Sequence, residues 1–309
     1  MAKVLITGGA GFIGQRLTDH CLKQGLDVRV FDLVRTRNPG VKESLTGSIL
    51  DPYEVSRALR GCDYVIHAAA ALGVGRTETQ RLECLYINIQ GAVNVLDAAV
   101  KERIKKVLFT SSSEVYGDVN KTAVTETSPL NPKSNYAITK LVGEEYLRAY
   151  RQSYGLDYTV VRFFSVYGEG QSEQFVIPKF VYGLQRDQAP TLYGDGQQLR
   201  AFCHVDDAAR GAIMALTSPK SSEQTYNIGN DSEPVTIAEV AKLAIEASGK
   251  KMQPEIVKYQ SSDRTAERDI YFRIPSIDKA KNELGYEPLI SIREGLKRMF
   301  EVAGREVSV

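Results

Sequence analysis

The apolar positions of the chain recur in two alternating rhythms. Short continuous runs, "KVLITG", "LDVRVFD" and "DYVIHAAA", have the length and content of buried strands, and the segments between them, "GFIGQRLTDHCLKQG" and "DPYEVSRALRGC", carry the apolar stripe of amphipathic helices. The alternation continues through "NIQGAVNVLDAAVKERI" as a helix, "KKVLFTSSS" as a strand, "NYAITKLVGEEYLRAYRQSYG" as a helix and "LDYTVVRFFSVYG" as a strand. Strands that are apolar throughout need cover on both faces, so this order predicts an α/β fold with a doubly wound parallel sheet.

After about Gly168 the rhythm loosens. "GEGQSEQ", "QAP" and "YGDGQQ" mark loops around one amphipathic piece, "FVIPKFVYGLQ". Helices at "VDDAARGAIMAL", "TIAEVAKLAIEASG" and "SIREGLKRMFEVAG" and a strand at "QTYNIG" complete the pattern. The expected division is a nucleotide-binding domain over 1–167, with later segments at about 200–230 interleaved, and a smaller substrate-binding lobe over 168–309. No internal repeat or linker separates two autonomous units.

Composition narrows the class. The 309 residues are 43% hydrophobic with a formal net charge of +1, signs interspersed, so no broad basic surface points to nucleic acid or anionic membrane. The longest apolar runs are too short to span a bilayer, and no leader pattern precedes the first glycines, so a cytoplasmic protein is expected. Cys21, Cys62, Cys84 and Cys203 form no CxxC pair and suit reduced thiols; His20, His67 and His204 are equally scattered, so no metal is expected.

"KVLITGGAGFIG" satisfies two glycine frames, Gly9-Gly11-Gly14 and Gly8-Gly11-Gly14, directly after a strand and opening a helix. Glycines there let the backbone turn tightly and approach a pyrophosphate, which the helix N-terminus then stabilises. The second strand ends in Asp32, 18 residues beyond Gly14, where an acidic residue receives an adenosine ribose hydroxyl. This favours NAD; Arg35 and Arg37 behind it are the features that would suit the 2′-phosphate of NADP.

"YAITK" sets Tyr136 and Lys140 four apart on one helix face. A phenol is a poor base at neutral pH, and a neighbouring ammonium lowers its pKa toward what deprotonating a sugar or alcohol hydroxyl requires. "TSSSEVYG" places Ser112 and Glu114 at the end of the strand that precedes this helix.

With these motifs in place, the chain resembles the extended short-chain dehydrogenase/reductase family, the NAD-dependent sugar-nucleotide epimerases and dehydratases, on a Rossmann-type sheet. The resemblance runs through "GGAGFIG", "HAAA", "SSSEVYG", "YAITK", "RFFSVYG", "YGDGQQLRAF", "HVDDAARG" and "LGYEP". It implies that Tyr136 is the base, that Lys140 orients the nicotinamide ribose, and that Ser112 shares the substrate hydroxyl. It places Gly8, Gly11, Phe12, Ile13 and Gly14 on the cofactor, Asp51 at the adenine edge, and Ala68, Ala69 and Asn88 lining or bracing the site. Arg200 and Arg264 resemble the arginines that hold a nucleotide-sugar diphosphate; Val176 in "FVIPKF" and Tyr193 resemble the nucleobase wall. Ser165 stands where many relatives carry Asn touching the diphosphate, and Glu169 where many carry Pro.

The resemblance also implies a homodimer through the helices that contain Asn88 and Tyr136. The context looks most like the UDP-sugar 4-epimerases, which oxidise C4 and return the hydride to the other face of the ketone. The alternative is a dehydratase or UDP-glucuronate decarboxylase with Glu114 as a further base. In an epimerase, Glu114 would serve as an acceptor for nearby backbone N–H groups. A dinucleotide-sensing protein without catalysis would have no use for Ser112, Tyr136 and Lys140 together.

Overall fold

The structure, a computed structural model, describes residues 1–73, 79–119, 122–257 and 270–306. Its centre is a parallel sheet of β1 (Lys3–Thr7), β2 (Asp27–Asp32), β3 (Glu43–Thr46), β4 (Tyr64–His67), β5 (Lys106–Ser112), β6 (Tyr158–Phe163) and a last strand, Gln224–Ile228. In space the order is last strand, β6, β5, β4, β1, β2, β3. The strand order reverses between β1 and β4, and ligands of such sheets sit beyond the strand C-termini at that switch point.

Successive side chains of a strand point to opposite faces, so each apolar strand builds two cores at once. Val4 and Ile6 of β1 pack under Leu17 and Cys21 of α1 (Phe12–Lys23) and under Ala208 and Ala212 of the helix Val205–Thr217. Leu5, between them, turns to the other face, against Val55 and Leu59 of α2 (Pro52–Leu59) and Val95 and Ala99 of the helix Arg81–Lys101. A third core lies beyond the sheet, where Ile177, Phe180 and Leu184 of the helix Val176–Gln185 meet Val240 and Ala244 of Ile237–Ser248 and Leu296 and Met299 of Ile292–Glu306. Around it are small pairings, Thr191–Tyr193 with Glu255–Val257, and Leu199–Ala201 between Pro234–Thr236 and Phe272–Arg273.

Four elements differ from the sequence pattern. β3, "ESLT", has no fully buried position and therefore no apolar signature; it is an edge strand held by its pairing with β2. The Asn88 helix begins at Arg81. "LDYTVVRFFSVYG" does not run as one strand: β6 ends at Phe163, and Val166–Tyr167 pairs separately with Cys203–His204 after a turn at Ser165. A short helix, Asp278–Leu284, also escaped the pattern because few of its residues are buried. Among the described residues no helix is long and apolar enough to cross a membrane, and no cluster of His, Cys, Asp or Glu could hold a metal.

Candidate active site

β1 delivers the chain into the glycine loop. Gly8 has φ +71°, a conformation that favours glycine, and its carbonyl accepts the Gly11 N–H at 3.1 Å. A Cβ on Gly14 would lie 1.9 Å from that same carbonyl oxygen, and one on Gly8 would lie 2.7 Å from Ala69 N, so neither position has room for a side chain. α1 begins at Phe12 with no side chain capping it, which leaves its leading N–H groups for an anion. Asp32, at the end of β2, accepts the Ala10 N–H at 3.0 Å and so ties its strand to the loop. These features fit a dinucleotide, the pyrophosphate on the loop and the ribose at Asp32.

The loop opens into a cleft of about 1150 Å³. Gly8, Gly11, Phe12, Ile13, Gly14, Asp32, Ala68 and Ala69 line one end, and Ser112, Glu114, Tyr136 and Lys140 line its middle. Asp51 Oδ1 caps α2, accepting Tyr53 N–H at 2.9 Å and Glu54 N–H at 3.0 Å, and the cleft wall before it is formed by Ser48, Ile49 and Leu50. Asn88 is buried behind the site and braces it, accepting Ala71 N–H at 2.6 Å and donating to Ala71 O at 3.0 Å and Thr139 Oγ1 at 3.1 Å.

The central group comes from two adjacent elements. Ser112 closes β5, and its Oγ accepts the Glu114 N–H at 3.2 Å to start a single 3-10 turn, Ser113–Tyr116. The helix Asn135–Tyr154 starts beside it, capped by Ser134, and carries Tyr136 and Lys140. One turn later Glu144, fully buried, accepts Ser111 Oγ–H at 2.6 Å and Arg162 Nε–H at 2.9 Å, which locks this helix onto β5 and β6. Lys140 Nζ lies 5.6 Å from the Tyr136 ring centre and 5.0 Å from that of Phe109.

The electrostatics depart from the sequence expectation. Burial pushes the Lys140 ammonium down to about 8, against Cys84 and Glu144, which oppose the shift. Burial, followed by the Glu114 and Cys84 charges, pushes the Tyr136 phenol well above its usual range. A lysine next to a tyrosine lowers the phenol only where its charge outweighs desolvation, and in the protein alone desolvation wins. Glu114 also differs from the expected acceptor of backbone N–H groups: its Oε2 accepts the Ser134 hydroxyl at 2.8 Å.

At the far end Val176, Tyr193 and Arg200 line the cleft. Lys179 Nζ donates to Tyr193 Oη at 3.0 Å and sits over its ring. Arg273, which sequence reasoning passed over, also lines the cleft and pairs in register with Arg200 on the neighbouring strand. Only the pairing of two short strands distant in sequence reveals it. Ser165 lines the cleft with φ +40°, a left-handed conformation in which Asn is favoured over Ser. Arg264 lies outside the described residues.

A doubly wound sheet with a glycine loop, Asp32, and a Tyr-Lys pair in one cleft defines a dinucleotide-dependent enzyme. The description of the NAD dependent epimerase/dehydratase family matches residues 4–229, and the chain belongs to that family. It is 33% identical to a putative UDP-glucose 4-epimerase of Methanocaldococcus jannaschii over 96% of each chain, and 32% identical to a UDP-N-acetyl-alpha-D-glucosaminuronate decarboxylase of Bacillus cytotoxicus over 97% of each. The UDP-glucose 4-epimerase of Thermotoga maritima, solved with UDP-glucose, superposes with a TM-score of 0.90 at 31% identity, covering 99% of both chains. The protein is an NAD-dependent enzyme of nucleotide-sugar chemistry, with epimerases and a decarboxylase equally near in sequence.

Proposed function

We propose that the chain is a nucleotide-sugar 4-epimerase acting on a UDP-hexose through a transient 4-keto sugar. The observation that carries this reading is the placement of Ser112, Tyr136 and Lys140 in one cleft, between the glycine loop and the Tyr193-Arg200 end. Ser112 and Tyr136 orient the C4 hydroxyl, and Tyr136 takes its proton. A bound NAD would supply the hydride acceptor and donor for C4, held by the glycine loop, Asp32 and Lys140. Lys140 holds the ribose and favours the phenolate; the paired arginines Arg200 and Arg273 suit a diphosphate because each planar fork bonds two oxygens. Val176 and Tyr193 would face the base, with Arg264 as a further diphosphate ligand, and the lobe after about residue 168 would hold the nucleotide.

Two features favour epimerisation over elimination. Ser113, buried, stands where a dehydratase would have its acid, although Ser113-Glu114 matches the Ser-Glu form of the decarboxylases, and Glu114 is already bonded to Ser134. The lyase reading keeps the Ser-Glu match and the place of Glu114, which also lines the cleft. The exposed Leu82 and Tyr86, on the helix Arg81–Lys101, and Ile138 and Tyr154, on the Tyr136 helix, support a homodimer through those helices, and four buried free cysteines suit the cytoplasm. Incubation with UDP-glucose, UDP-N-acetylglucosamine and UDP-glucuronate in heavy water, followed by mass spectrometry and proton NMR, tests the reaction. An inverted C4 at unchanged mass with no deuterium at C5 is expected; loss of water or carbon dioxide would replace this reading with the lyase. Tyr136→Phe should cut turnover by roughly 10²–10⁴-fold with NAD still bound, and wild-type rates would remove the mechanism.

A further inference from the structure

One hydroxyl in the cleft does two things at once. Ser134 Oγ accepts the Ala137 N–H at 3.0 Å, capping the helix that carries Tyr136 and Lys140, and donates its own proton to Glu114 Oε2 at 2.8 Å. The carboxylate of the 3-10 turn is thereby fastened to the residue two positions before the catalytic tyrosine. A helix cap needs only the acceptor half of a serine, so the donor half is left for this contact. Both Ser134 and Glu114 line the cleft.

We propose that Ser134 is a positioning residue for Tyr136: it fixes the Glu114 carboxylate at a set place in the cleft that Tyr136 also lines, and so sets the pH at which the base becomes competent. This rests on the reading of Tyr136 as the proton acceptor and holds for an epimerase or a lyase. The charged or titratable groups that bear on Tyr136 among the described residues are Glu114 from the 3-10 turn, Cys84 from the helix Arg81–Lys101, and Lys140 from its own helix. Of these, Glu114 is the one on a separate short turn, with a side chain that can swing away. Its negative charge opposes formation of the phenolate. Held by Ser134, it acts at constant distance; released, it would move toward solvent and its influence would fade.

The sign follows. Removing the Glu114 charge lowers the Tyr136 pKa, so the rising limb of kcat against pH moves to lower pH. Glu114→Gln should move it by about 1 unit, the low end of a nearby-charge effect. Ser134→Gly, which deletes the hydroxyl while leaving a residue tolerated at a helix cap, should move it in the same direction by less. Ser134→Thr, which keeps the hydroxyl, should restore the wild-type limb. In the Glu114→Gln background, Ser134→Gly should move it no further.

The measurement is the kcat–pH profile with whichever of UDP-glucose, UDP-N-acetylglucosamine and UDP-glucuronate is turned over. Beside it, the Tyr136 signal is titrated by NMR in the NAD-saturated protein carrying ring-labelled tyrosine, assigned with Tyr136→Phe. A merely structural serine would lower the melting temperature and kcat while leaving both titrations in place, and that result overturns the proposal. Equal shifts from Ser134→Gly with and without Glu114 would overturn it as well. Failure of the functional reading looks different: Tyr136→Phe would then turn over normally, whatever the Ser134 variants do.

Discussion

Gly14→Ala sets two opposed effects of known size against each other. Gly14 lies in the first turn of α1, where alanine is the better helix former by about 1 kcal/mol. The new Cβ, however, would stand 1.9 Å from Gly8 O, 2.7 Å from Gly9 Cα and 2.8 Å from Gly8 C, all backbone atoms that no rotamer change can move aside. An ordinary C···O contact is about 3.3 Å, so the loop must shift by more than about 1 Å. Forcing extra atoms into a packed site costs about 1–3 kcal/mol, which exceeds the propensity gain. A displaced loop would also hold a pyrophosphate less well, and one charge-assisted bond of about 1.5–3 kcal/mol is worth tenfold or more in affinity. Isothermal titration calorimetry with NAD should therefore show at least a tenfold weaker Kd, with a lowered Tm in a thermal melt. Gly183→Ala is the control, since it is also helical but its nearest neighbour is 3.8 Å away; it should raise stability by about 0.5–1 kcal/mol. If Gly14→Ala bound NAD normally and melted higher, the close-approach argument would be wrong.

Further predictions concern the turn after β6. Ser165→Asn should raise stability by about 1 kcal/mol in urea denaturation, because Asn tolerates the φ of +40° better than Ser; a loss would show that the serine side chain compensates there. Glu169 is partly buried, and burial alone would raise its carboxyl, but His204, 3.4 Å away, and Arg16 bring it down to about 2. A depressed carboxyl contributes stability that is present above its unfolded pKa and lost as pH falls toward 2. Glu169→Gln should thus be about 2–3 kcal/mol less stable than wild type at pH 6, with the gap closing toward pH 2; a gap independent of pH would refute the depressed carboxyl.

Periodicity, glycine spacing and the Tyr-Lys interval determined most of the sheet and the nucleotide end of the cleft, because those signals are local. A buried strand needs an unbroken apolar run, a pyrophosphate turn needs Gly8, Gly11 and Gly14 close together, and Tyr136 and Lys140 meet on one helix face by spacing alone. What only the tertiary structure decided depends on residues far apart in the chain. The edge strand β3 exists through its pairing with β2. Arg273 reaches the cleft through its register with Arg200, and Asp51 takes on the capping of α2. Burial reversed the expected shift of Tyr136. The partner of Glu114 proved to be a serine 20 residues away, brought near because parallel strands gather their C-terminal ends, and the helix N-termini that follow, at one edge of the sheet. Desolvation and long-range hydrogen bonding are properties of the assembled surroundings, and no stretch of sequence carries them by itself.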